Sequence, residues 1–210
     1  MSRIKDGTFG KFKYILYIPS GIDLPLIVVL HGSGEVGKSL SKLKKREPYL
    51  GLKKGIVSPN AIVLMPQLKS GSWGKSAGAL KKLIDHVAKE HHCDQNRISI
   101  TGHSLGGAGV IDMLIKYPDY FSAAASLSPC KNYKKDLLRT ITHIPIWIFY
   151  GEKEGKFGKY ARLIKSRLDS IHGNALITCV KGKGHAIQSC WIDNKYKLFA
   201  WITSNNKDAN

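Results

Sequence analysis

The tightest constraint on this chain is the alternation of short apolar runs with amphipathic stretches. Leu26 to Leu30 contains only Leu, Ile and Val, as a strand buried on both faces should. Phe12 to Ile18 reads as a strand before it. Ala61 to Met65 repeats the apolar pattern and is expected to stop at Pro66. Arg97 to Thr101, Ser122 to Leu127, Ile146 to Tyr150 and Leu176 to Val180 complete the expected strands. Between them, Ala77 to Lys89 places Leu80, Leu83, Ile84 and Val87 on one helical stripe. Leu105 to Tyr117 reads as a helix halted by Pro118, and Tyr160 to Ile171 and Lys195 to Thr203 as two more. Strands alternating with helices predict an α/β fold with a doubly wound, mainly parallel sheet. At 210 residues the chain suits one domain, residues 1–210, and is too short for two comfortable ones.

Ligands of such sheets bind beyond the carboxyl ends of the strands, so the residues just past each strand matter most. After Thr101 comes Gly102-His103-Ser104-Leu105-Gly106, a G-x-S-x-G between a strand and a helix. That context is the one a nucleophile elbow requires. A serine on so sharp a turn leaves no room for a Cβ two residues to either side, hence the glycines. The next helix points its N-terminus at the site, where backbone N–H groups favour an oxyanion.

A serine hydroxyl needs a base. His185 alone among the eight histidines comes after the last expected strand, in the flexible Gly182-Lys183-Gly184-His185. His103 adjoins Ser104 and should point elsewhere, and His31 is expected to organise its own loop by hydrogen bonding. The acid that orients the imidazole should lie past the strand ending at Tyr150, where Glu152 and Glu154 both stand. Glu154 is preferred and Glu152 is the alternative. An oxyanion hole needs two backbone donors. Leu105 would supply one, and Ser33, in the loop after Leu30, the other. Trp73 and Trp191 are candidates to line the substrate pocket, although each also suits a buried structural role.

A competing motif overlaps this loop. Gly32 to Ser39 fits G-x-x-x-x-G-K-[ST], the phosphate-binding loop. A nucleotide enzyme also needs a strand ending in an acidic residue that holds Mg²⁺. Met65-Pro66-Gln67 and Gly102-His103 supply none, and the nucleotide reading leaves Ser104 and His185 without a role.

The net charge of +18 could attract nucleic acid, an anionic membrane or an acidic substrate. The lysines are spread along the whole chain, however, and the aromatics are not interleaved with the basic runs. The densest cluster, Lys42, Lys44, Lys45 and Arg46, fits a solvated helix face. A basic surface is expected, with no specific nucleic-acid site. The four cysteines form no CxxC pair and read as free thiols. His91-His92-Cys93 lacks a second ligand pair at zinc spacing, so no metal site is expected. The apolar runs are far below a membrane span. The first residues carry no signal-peptide core, which makes a cytoplasmic protein the expectation.

With these residues in view, the chain resembles the esterase branch of the α/β-hydrolases, the predicted peptidase or phospholipase/carboxylesterase group. Feruloyl esterases and polyhydroxybutyrate depolymerases are relatives of that group. The similarity runs from about Leu24 to Trp201. It includes HGSGEVG, Met65-Pro66-Gln67, the Trp73 loop, Arg97-Ile98, GHSLGGAG, PIWIFYGEKE and Gly184-His185. In that family HGSGEVG is an oxyanion loop of similar spelling. The family acid lies three residues after the glycine that Gly151 matches and is normally Asp; here the position is Glu154. The resemblance implies a serine carboxylesterase with the triad Ser104, His185 and Glu154, no cofactor, and small-molecule or polymeric ester substrates. A thioesterase or acyltransferase would share this machinery, and a degenerate fold could serve as a binding module. The stretch from Leu127 to Ile146 is too short for a folded lid, so an open site is expected.

Overall fold

A computed structural model describes residues 2–207. Eight strands form one sheet: β1 (Arg3–Phe9), β2 (Phe12–Ile18), β3 (Leu26–Leu30), β4 (Ile62–Gln67), β5 (Ile98–His103), β6 (Ala123–Leu127), β7 (Ile146–Gly151) and β8 (Ala175–Val180). The α-helices among the described residues are α1 (Leu40–Leu43), α2 (Tyr49–Lys53), α3 (Ala77–Glu90), α4 (Leu105–Lys116), α5 (Lys135–Leu138), α6 (Lys156–Asp169) and α7 (Leu198–Thr203). The strand order is β1-β2-β4-β3-β5-β6-β7-β8. β1 and β2 pair antiparallel, as do β2 and β4, and every other pairing is parallel. This is the doubly wound α/β arrangement that the sequence predicts.

The apolar runs explain why the sheet sits in the middle. Along β3, Leu26, Val28 and Leu30 face one core together with Leu64, Ile100 and Ile148. Ile27 and Val29 face the other, with Val63, Ala125 and Phe149. The first core is closed by the apolar stripes of α3, α4 and α6, including Leu83, Val110 and Ile164. The second is closed by Leu43 of α1, Tyr49 and Leu52 of α2, Trp191, and Leu198 and Ile202 of α7. Each fully buried Leu, Ile or Val side chain contributes about 1.5–3 kcal/mol, so the central strands anchor both layers.

Some boundaries differ from the sequence reading. β4 runs on through Pro66, opposite Tyr14 of β2. Its ladder with β3 has ended at Leu64, so the missing N–H lies outside the parallel pairing. β1 has no apolar signature because it is a polar edge strand, held by a hairpin turn in which Gly10 takes φ +54°. α7 starts at Leu198 because Lys197 adopts a left-handed conformation that ends the preceding turn. The basic cluster at residues 42–46 is not one helix face: α1 stops at Leu43, Lys44 pairs with Asp6, and Arg46 pairs with Glu35. Nor does the β6–β7 connection form a lid. Tyr133, Leu138 and Ile141 are buried in the first core, and the Tyr133 hydroxyl donates to the Ala108 carbonyl at 2.6 Å. No described helix is long and apolar enough to cross a membrane.

Candidate active site

Ser104 stands alone between the last residue of β5 and the first of α4, with φ 58° and ψ −113°. A non-glycine residue persists in that region only where its surroundings hold it there. Its N–H donates to the Leu127 carbonyl at 2.8 Å, which ties the turn to β6. The flanking glycines are needed for close approach. A Cβ on Gly102 would lie 2.5 Å from the Gly106 carbonyl carbon, and one on Gly106 would lie 2.1 Å from the Leu30 carbonyl oxygen. α4 can therefore begin against β3, with its free N–H groups beside the serine.

Three side chains from different parts of the chain meet here. The His185 Nε2 lies 2.9 Å from the Ser104 Oγ, and its Nδ1 contacts Glu154 Oε1. With a carboxylate on one side, Nδ1 carries the proton and Nε2 accepts from the serine hydroxyl. Glu154 is almost fully enclosed. Its second oxygen accepts from the Ser128 hydroxyl at 2.8 Å and from the Gly151 N–H at 2.9 Å. Burial pushes the Glu154 carboxyl up, but the hydrogen bonds from His185, Gly151 and Ser128 outweigh it and hold the group below its ordinary value. Glu152 goes elsewhere. Its N–H still bonds the Val180 carbonyl as an extension of the ladder, and its exposed carboxylate meets Lys181 at 2.9 Å and the Gly182 N–H at 2.8 Å.

Two contacts here escape sequence reasoning. Ser128, at φ +47° just after β6, supports the far oxygen of Glu154; the only signal was its place at the same sheet edge. His103 also has a local role. Its Nε2 lies 2.7 Å from the His185 carbonyl, so the ring donates there. Burial drives the His103 imidazole down to about 4, so it is neutral near pH 7. The elbow and the histidine loop are thereby bonded to each other. Phe157 stands against the His185 ring at 4.7 Å between centroids.

The loop after β3 lies against the serine: a Cβ on Gly32 would sit 3.6 Å from that of Ser104. Ser33 opens a short 3-10 turn, and Leu105 is the first residue of α4. Backbone N–H groups at the start of a helical turn have no partner within it. His31 holds this loop. Its Nδ1–H donates to the Gly32 carbonyl at 2.7 Å, and its Nε2 accepts the Leu68 N–H at 2.9 Å. Only the neutral ring can do both, and burial lowers its pKa in agreement. Trp73 is fully buried under the loop, with its indole N–H on the His31 carbonyl at 3.0 Å. It supports the loop from inside, which is the buried structural role of the two that the sequence allows.

The phosphate-loop spelling does not form a phosphate cradle. The N–H groups of Glu35, Val36 and Lys38 bond carbonyls within the turn, and that of Gly37 bonds the Leu68 carbonyl at 2.9 Å. The helix after Ser39 has four residues. Beside Gly32 and His103 lies a cavity of about 30 Å³ whose walls include Leu43, Tyr49, Met65 and Trp191. Trp191 is anchored by its indole N–H on Thr101 Oγ1 at 2.9 Å. Much of this wall comes from the β3–β4 connection.

Comparison with known proteins agrees with this architecture. The family model described as "Putative esterase" matches residues 79–195 of the 210. Poly(3-hydroxyalkanoate) depolymerase C of Paucimonas lemoignei is 25% identical over 142 residues, 57% of this chain and 31% of that protein. The chain thus spans about a third of the length of this curated relative. A thermostable esterase superposes with a TM-score of 0.77 at 23% identity, covering 97% of this chain and 63% of its own. A ferulic acid esterase superposes with a TM-score of 0.70 at 14% identity, covering 97% and 98%. Sheet order, structural likeness and family match lead to one conclusion: the chain belongs to this esterase family and carries the α/β-hydrolase fold.

Proposed function

We propose that this protein hydrolyses carboxylic esters through an acyl-enzyme on Ser104. The observation that carries the reading is the unbroken relay from the Ser104 Oγ through both nitrogens of His185 to an enclosed Glu154. Ser104 attacks the ester carbonyl carbon as its proton passes to His185 Nε2. The backbone N–H groups of Ser33 and Leu105 hold the oxyanion that forms. The carbon–alkoxide bond then breaks, and the His185 proton goes to the departing alkoxide. Water attacks the acyl-enzyme by the same route, giving its proton to His185, and the carboxylic acid leaves as Ser104 takes the proton back. Glu154 keeps the imidazole in the required tautomer and favours its charged form. The family match and the named relatives support ester bonds as the target.

The cavity beside Gly32 and His103 has room for two or three water-sized groups, which favours a short acyl chain. The His185 side chain is 39% exposed, so a bulky or polymeric alcohol portion can extend into solvent. Nitrophenyl esters of increasing acyl length test both points. Acetyl to butyryl esters should be turned over best, and Ser104→Ala should lose about 10⁴- to 10⁶-fold. Undiminished turnover in Ser104→Ala would overturn the mechanism, and a preference for long acyl chains would overturn the assignment of the cavity.

A further inference from the structure

An open groove of about 430 Å³ lies apart from the serine, and its lining includes Lys11, Lys13, Lys38 and Lys69 but no carboxylate. The ion pairs among the described residues engage Lys5, Lys44, Lys81, Lys131, Lys165 and Lys181, and none of these four. The Lys11 ammonium donates to Ser76 Oγ at 3.1 Å. The four residues come from three segments that the fold brings to one edge. Lys11 and Lys13 come from the β1–β2 turn and the start of β2, Lys38 from the segment after the oxyanion turn, and Lys69 from just past β4. Lys13 stands opposite Gln67 in the β2–β4 register, and the Gly37 N–H on the Leu68 carbonyl ties the Lys38 segment to the end of β4. Four like charges gathered without a counter-charge repel one another, a cost that an anionic occupant would offset.

The groove is also joined to the candidate site. Gln67, which forms part of its lining, donates through Nε2 to the Glu35 carbonyl at 2.6 Å, at the end of the turn that Ser33 opens. The order β5-β3-β4-β2 puts the groove about three strands from the nucleophile along the carboxyl edge, roughly 14 Å at about 4.8 Å per strand. A substrate a few units long spans that distance.

We propose that this groove is a second subsite, which takes a carboxylate or phosphate carried by the same ester molecule that Ser104 attacks. The proposal rests on the esterase reading and adds the chemical class of the substrate: an ester with an anionic arm. The nucleotide-type spelling around Lys38 thus contributes a lysine side chain to an anion site, with no backbone cradle.

The test uses the full chain and two triple variants. One removes charge from the groove: Lys13→Gln, Lys38→Gln and Lys69→Gln. The control removes equal charge elsewhere, at exposed Lys53, Lys54 and Lys89. Binding of tripolyphosphate and of a short oligogalacturonate is measured by calorimetry at low salt in a Ser104→Ala background, so that no turnover is needed. The groove variant should bind at least about tenfold more weakly and the control within about threefold of the parent, with all affinities falling as salt rises. Preference for one probe identifies the anion as phosphate or carboxylate. Kinetically, KM for an aryl ester with a remote carboxylate should rise about tenfold in the groove variant with kcat kept, relative to a neutral aryl acetate. Unchanged binding in the groove variant, or an equal loss in the control, would overturn the site. Weakened binding with an unchanged KM would overturn its role as a substrate subsite. Absence of ester turnover in the parent would instead count against the esterase reading, and turnover surviving in Ser104→Ala against Ser104 as its nucleophile; either would leave the binding result standing.

Discussion

Replacing Glu154 by Gln probes the relay at its most enclosed point. The side chain keeps its size, but one oxygen becomes an NH₂. If the remaining oxygen continues to accept from the Gly151 N–H and Ser128, the NH₂ faces His185 Nδ1. The ring then takes the other tautomer, and Nε2, now protonated, cannot receive the serine proton. The alternative flip restores the tautomer but sets two donors, the NH₂ and the Gly151 N–H, against each other in a buried place. That costs about 1–3 kcal/mol, so the productive form is a minority of about one part in five to one in 150. Loss of the charge that favours the imidazolium adds to this. Acid-to-amide replacement in a well-studied serine protease lowers turnover by about 10⁴, and the expected fall in kcat here is roughly 10²- to 10⁴-fold with the same reasoning. Glu152→Gln removes the charge facing exposed Lys181 and keeps an oxygen for the Gly182 N–H, so its cost should stay below about tenfold. The assay is kcat for both variants on one nitrophenyl ester, with circular dichroism as a check on folding. A larger loss in Glu152→Gln, or mild losses in both, would refute the assignment of the acid.

His103 predicts an acid-sensitive stability. Its folded pKa of about 4 lies below the ordinary 6.5, so the unfolded chain takes up a proton first. The contribution is complete above pH 6.5 and is lost as pH falls towards 4, on the order of 3 kcal/mol in all. The difference between urea midpoints at pH 7 and 4.5 should shrink in His103→Gln, which can still donate to the His185 carbonyl; an undiminished difference would contradict this. Gly106→Ala should cost more than about 4 kcal/mol or prevent folding, since its Cβ meets the Leu30 carbonyl. Gly34→Ala meets nothing within 4 Å and should change stability by less than about 1 kcal/mol. Thermal melts of the two variants check the contrast, and similar melting points would refute it.

Much of the fold was legible because its strands are buried on both faces and therefore spelled in unbroken apolar residues, Leu26–Leu30 above all. β1 was illegible for the opposite reason: an edge strand needs no apolar face, and Arg3–Phe9 shows none. The placement of Ser104 was readable because an elbow demands glycines at fixed spacing. Chain direction accounts for the different places of Glu152 and Glu154, since Glu152 still continues the ladder while the Glu154 N–H turns back to the Gly151 carbonyl. The two roles open to Trp73 could not be separated in the sequence, because an indole beside a loop is spelled the same whether it faces a pocket or supports the loop from below. The cavity wall from Leu43 and Tyr49, and the lysine groove, unite residues far apart in the chain. Only the strand order brings Lys11 and Lys69 to one place.

The central claim is that Ser104 is a nucleophile activated by His185, and a fluorophosphonate reads that property directly. The account predicts a single phosphonylated peptide containing Ser104 by mass spectrometry, with labelling lost in Ser104→Ala and slowed by orders of magnitude in His185→Ala. A label on another serine, or labelling of Ser104 at an unchanged rate in His185→Ala, would contradict it.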